Sequence, residues 1–91
     1  MVKFTQQQLD ELRKIAVEYI RNGRDREYKG LFVEMQGSMA VYGVWLVCPP
    51  HVKVGYPRYV KVSSGGRCVE IKDHKESNRL RRSLNLLRYG S

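Results

Sequence analysis

The sequence predicts an α+β domain of order α-β-β-β(-β)-α, an antiparallel sheet with both helices packed on one of its faces. Three observations predict it. Apolar residues recur at three- and four-residue spacing near both ends of the chain, the mark of amphipathic helices. Between them lie apolar runs rich in Val and Tyr, broken by Gly-Ser, Pro-Pro and Ser-Ser-Gly-Gly, which read as strands joined by turns. The length of 91 residues suits one modest core, burying roughly 60–65% of the unfolded surface, so the chain reads as a single domain, 1–91.

The first helix is announced by Thr5, with Gln8 three residues on. Each side chain can satisfy the other's free backbone N–H, which makes a capping box. Phe4 and Leu9 occupy the positions of a hydrophobic staple. Leu9, Leu12, Ala16, Tyr19 and Ile20 form one stripe, and Asn22-Gly23 ends it, Gly23 being able to take the left-handed cap. Arg13, Lys14, Glu18 and Arg21 flank the stripe as a solvated face.

Tyr28 to Gln36 reads as a strand with Leu31, Val33 and Met35 on one side and Phe32 and Glu34 on the other. Gly37-Ser38 fits a type II′ hairpin turn. Met39 to Cys48 is apolar on nearly both faces and reads as the central strand, with Trp45 in the core. Pro49-Pro50 stops it. Arg58 to Val62 is a third strand, and Arg67 to Ile71 a fourth or the return of a long third hairpin. The last helix starts near Asp73, capped by Asp73 with Glu76 or by Ser77. It buries Leu80, Leu84 and Leu87, and Gly90 ends it.

The formal net charge is +8 at pH 7, and it is unevenly placed. Residues 1–50 hold 7 basic and 6 acidic residues, whereas residues 51–91 hold 10 basic and 3 acidic. Such asymmetry points to a basic face and an anionic partner. The sharpest feature is Lys75, Arg79 and Arg82, at i, i+4 and i+7, which share a stripe of the last helix. Arg81 widens it. Arg58, Lys61, Tyr59, Lys53 and Arg67 supply further cations and an aromatic from the sheet and loops. A rigid helix carrying cations suits phosphates, so these nine residues are the expected nucleic-acid-binding set. Exposed aromatics beside cations, as in Tyr56-Pro57-Arg58-Tyr59, can stack on bases, although Tyr59 reads better as sheet packing.

Other chemistry is thinly supported. Cys48 with His51 and Cys68 with His74 offer two Cys and two His, but at C-x2-H and C-x5-H spacing, so buried thiols are favoured over zinc and no metal or cofactor is expected. His74 beside Glu70, Asp73 and Glu76 is the one set that resembles a base with an orienting carboxylate, and no nucleophile elbow, zincin, P-loop or dinucleotide motif appears. The chain is not expected to be an enzyme. No run of about 18 apolar residues exists, Met1-Val2-Lys3-Phe4-Thr5 does not read as a signal peptide, and two cysteines are too few for a disulfide scaffold. No membrane and a cytoplasmic location are the expectation.

The element order resembles that of double-stranded-RNA-binding domains and of the Alu-binding proteins of the signal recognition particle. In the first family, cations at the start of the second helix bridge phosphates, and Lys75, Arg79 and Arg82 stand in that region. The family's Lys-Lys-x-Ala-Lys run and Gly-Pro-x-His loop are missing, Gly37-Ser38 standing at the loop. The same order is similar to that of HicA-type toxin ribonucleases, in which Gly-Ser precedes a catalytic His. Here Met39 follows Ser38. The leading expectation is a non-enzymatic module binding structured RNA or duplex DNA. The alternatives are a small viral or mobile-element type of inhibitor or adaptor gripping an acidic or nucleic-acid-handling protein, and a toxin-like ribonuclease relative lacking the usual His and acting through His74. Either a monomer or a homodimer paired through an edge strand, Arg58–Val62 or Tyr28–Gln36, is compatible with the pattern.

Overall fold

A computed structural model describes residues 3–47 and 56–89 of the chain. The elements are α1 (Gln6–Arg21), β1 (Tyr28–Gln36), β2 (Met39–Leu46), β3 (Arg58–Val62), β4 (Cys68–Ile71) and α2 (His74–Tyr89). The order is the expected helix, four antiparallel strands, helix. The strands form one meander in the order β1-β2-β3-β4.

Local chemistry sets the boundaries. Thr5 accepts a hydrogen bond from the Gln8 backbone N–H while the Gln8 side chain accepts from the Thr5 N–H, so the capping box closes from both sides. At the other end Asn22 is the cap, left-handed at φ 50° and ψ 45°, and Gly23 follows it at φ 76°. Gly37 takes φ 61° at the first corner of the β1–β2 turn, as a type II′ turn requires. In α2 the Asp73 carboxylate accepts from the Glu76 N–H at 3.0 Å, which makes Asp73 the cap. The Glu76 side chain does not return to the cap; it reaches Gln36 and Arg79.

The helices cover opposite faces of the sheet, which corrects the one-face packing expected from the element order. Leu12, Ala16 and Ile20 of α1 pack with Ala40, Tyr42 and Val44 of β2 and with Val60 and Val62 of β3. Leu80 and Leu84 of α2 pack with Val41 and Tyr59, the residues between those positions, which point the other way. Three layers result, α1, sheet and α2. The physical reason lies in β2, whose run is apolar at successive positions and so presents two faces that need covering. Gly43 lets α2 approach: a Cβ there would lie 2.8 Å from a Leu84 methyl. With the helices on opposite faces, the likeness to the RNA-binding domains extends to element order alone.

Three further expectations change. A bulge between Phe32 and Glu34 shifts the register of β1. Met35 thereby joins Phe32 against the α1 core, and Glu34, paired with Val41, stands on the α2 side. Leu87 is 54% exposed and contributes no core. Tyr19 is also exposed, and Trp45 is a half-buried neighbour of the α2 cluster rather than a core residue. Among the described residues the sheet edges are β1 and β4, so Arg58–Val62 is internal and cannot be a free pairing edge. No described helix is long and apolar enough to cross a membrane.

Candidate nucleic-acid interface

The helix α2 carries five cations, Lys75, Arg79, Arg81, Arg82 and Arg88, against one carboxylate, Glu76. Its docking on the sheet through Leu80 and Leu84 sorts them into three directions. Arg79 turns toward β1. Its guanidinium bonds both Glu34 oxygens at 2.7 Å, and it also pairs with Glu76 one turn back. Gln36 donates to both carboxylates, at 3.1 and 2.7 Å. Arg79 holds the Glu34 and Glu76 carboxyls below their ordinary range, and burial opposes it. The Arg79 pKa is raised in turn, Glu34 contributing most. Arg79 is therefore a tie between α2 and β1, its charge already matched by two carboxylates. Lys75, Arg79 and Arg82 share the helix, but Arg79 is already paired with two carboxylates, whereas Lys75 and Arg82 have none at ion-pair distance among the described residues.

Arg58 is the second such case. It forms a bidentate pair with Glu70 across β3 and β4, at 2.9 and 2.6 Å, and lies on the α1 side of the sheet, where its register partner is Val44. It does not join α2. Tyr59 is buried, at 3% exposure. Packing thus won over base stacking at that position.

Lys75 and Arg82 stay exposed, with no carboxylate at ion-pair distance among the described residues. Arg81 is exposed on the flank of α2 that faces the start of β3, where its guanidinium sits 5.7 Å from the Tyr56 ring centre. Arg88 lies 4.2 Å over Trp45 and 4.8 Å from the Tyr89 ring centre, covering the indole that the core leaves half open. Lys61 is half-buried on the α2 side, opposite Val41, and Arg67 is exposed ahead of β4. Lys53 lies outside the described residues, as do Cys48 and His51. Cys68 is a free, half-buried thiol whose pKa burial pushes up. Among the described residues no three His, Cys, Asp or Glu side chains gather as metal ligands. His74 opens α2 as an exposed residue with no carboxylate hydrogen-bonded to its ring among those residues.

Two residues that the sequence reading left outside the set, Lys72 and His74, line a cavity with Tyr56, Tyr59, Ser77 and Arg81. Sequence adjacency of Lys72 and His74 to the helix start was the available signal. Among the described residues the buried Tyr59 hydroxyl has no hydrogen-bond partner. The Tyr42 hydroxyl, on the other face, donates to the Leu9 carbonyl at 2.6 Å, and burial followed by the Asp10 charge pushes its pKa up to about 12. The two tyrosines therefore give opposite expectations. Tyr42→Phe removes one hydrogen bond to a carbonyl that α1 already pairs and costs about 1 kcal/mol, whereas Tyr59→Phe removes an unmatched hydroxyl and leaves stability equal or slightly higher. Urea unfolding of both variants checks this, and equal losses would contradict it.

Compared with known proteins, the chain matches no family model, no curated protein and no solved structure.

Proposed function

We propose that the chain is a non-enzymatic nucleic-acid-binding module that meets phosphates of structured RNA or duplex DNA through the outward side of α2. One observation carries the reading. Lys75, Arg81 and Arg82 stand exposed on one helix with no carboxylate at ion-pair distance among the described residues, while Arg58 and Arg79 are matched by Glu70, Glu34 and Glu76. Helical cations lose little side-chain freedom relative to a loop, and each phosphate they neutralise releases counterions. Lys75 and Arg82 are seven residues apart, about 10 Å along the axis, so they meet separate phosphates. The reading places the protein in a reducing compartment such as the cytoplasm, where Cys68 stays free.

Protein purified at low salt should carry nucleic acid, seen as excess absorbance at 260 nm, and should release it at high salt. Copurification of one stoichiometric protein without nucleic acid would replace this reading with the second one. That reading is an adaptor, of the kind viruses and mobile elements encode, that docks on an acidic protein. It draws on Leu86, Leu87 and Tyr89, exposed by 61%, 54% and 72% at the end of α2 beside the cations.

A further inference from the structure

The cavity at the start of α2 has a volume near 320 Å³ and is lined by Tyr56, Tyr59, Lys72, His74, Ser77 and Arg81 among others. Three features of it point to a ligand. The first is the Tyr59 hydroxyl, a donor buried with no partner among the described residues, in a residue 3% exposed. Buried polar groups are almost always satisfied, and one left over in a residue that lines a cavity suits a partner that binds there. The second is charge: Lys72, just ahead of α2, and Arg81, two turns into it, both line the cavity, and no carboxylate pairs with them at ion-pair distance among the described residues. The third is Tyr56, 85% exposed, whose ring is covered only loosely by Arg81 at 5.7 Å. An exposed aromatic ring beside cations offers a stacking platform for a base. The volume lies at the small end of ligand pockets, about 300–1,000 Å³.

We propose that this cavity holds one unpaired nucleotide, its base on the Tyr56 ring, its phosphate between Lys72 and Arg81, and the Tyr59 hydroxyl donating to a base or sugar acceptor. The Tyr59 hydroxyl is sealed in the free protein, so in this proposal the exposed Arg81 side chain moves aside from the Tyr56 ring as the nucleotide enters. Arg81 is exposed, and no carboxylate among the described residues anchors it. Ser77 at the wall supplies a further hydroxyl for the sugar or phosphate. The proposal rests on the nucleic-acid reading for the source of the nucleotide: α2 grips a duplex region and the cavity takes the first base beyond its end.

The test compares a labelled blunt RNA duplex with the same duplex bearing a short single-stranded uridine overhang. The overhang should tighten binding by about tenfold, a typical return for one stacked base. In Tyr56→Ala the ratio of the two affinities should fall towards one, and in Tyr59→Phe it should fall by several-fold, with unchanged melting behaviour showing that the fold is intact. A ratio of one in the wild type, or an undiminished ratio in Tyr59→Phe, overturns the proposal. If neither duplex binds, the nucleic-acid reading fails, and titration with uridine 5′-monophosphate decides the cavity by itself. Shifts of the Tyr56 and Tyr59 ring NMR signals, larger than those given by inorganic phosphate, would support it with a free nucleotide as the source. No such shifts would remove it.

Discussion

Leu84→Ala should cost about 3 kcal/mol of stability and loosen α2 from the sheet. Leu84 and Leu80 are the two fully buried residues by which α2 is seated, against Val41 and Tyr59. Truncating Leu84 also empties the space that Gly43 leaves open for its methyls. For a domain of ordinary stability, about 5–15 kcal/mol, such a loss is large. Leu87→Ala, at a half-exposed position, should cost well under half as much. Urea unfolding measures both. Equal losses would mean that the seat of α2 is misassigned.

The same variant tests the two-faced packing. Ile20→Val thins the α1 core on the other side of the sheet and should cost about 1 kcal/mol. Sites on opposite faces with no shared side-chain partner should add to within about 0.5 kcal/mol in the double variant. Helices packed together on one face would share a core and show strong coupling instead.

The second large effect concerns binding. Lys75→Glu with Arg82→Glu should weaken affinity for a structured RNA or DNA duplex by about a hundredfold or more at low salt, with the fold retained. Both side chains are exposed and no carboxylate among the described residues depends on them, so reversal changes the surface and little else. Arg79→Glu behaves differently. It places a third carboxylate against Glu34 and Glu76 and removes the tie between α2 and β1, so its first effect is on stability. Fluorescence anisotropy with a labelled duplex, beside a melting curve for each variant, separates the two outcomes. Loss of binding with Arg79→Ala in a stably folded protein, and none with the Lys75 and Arg82 reversals, would reassign the contact surface.

Much of the fold was legible because local chemistry writes it. Thr5 and Gln8 fixed the start of α1, Asp73 that of α2, and Gly37-Ser38 the first hairpin. The number of covered faces was also present in the sequence, in the unbroken apolar run of β2. Two amphipathic helices suggested one shared face, but a strand apolar on both sides needs two. The β1 bulge was not legible, because a period-two reading assumes that no residue is extra. Glu34 and Arg79 lie 45 residues apart, so only folding reveals that the bulge aims one at the other. The basic helix was found from spacing. Which of its cations are free depends on carboxylates brought from other strands, and spacing along one helix does not contain that.

The most direct measurement of the central claim is the salt dependence of affinity for a labelled duplex. If Lys75, Arg81 and Arg82 each neutralise a phosphate, log affinity should fall linearly with log salt at a slope of roughly −2 to −3, and the Lys75→Glu, Arg82→Glu variant should lose about two units of that slope. A flat dependence, or no binding at low salt with the folded protein in excess, would contradict the assignment of α2 as a phosphate-binding surface.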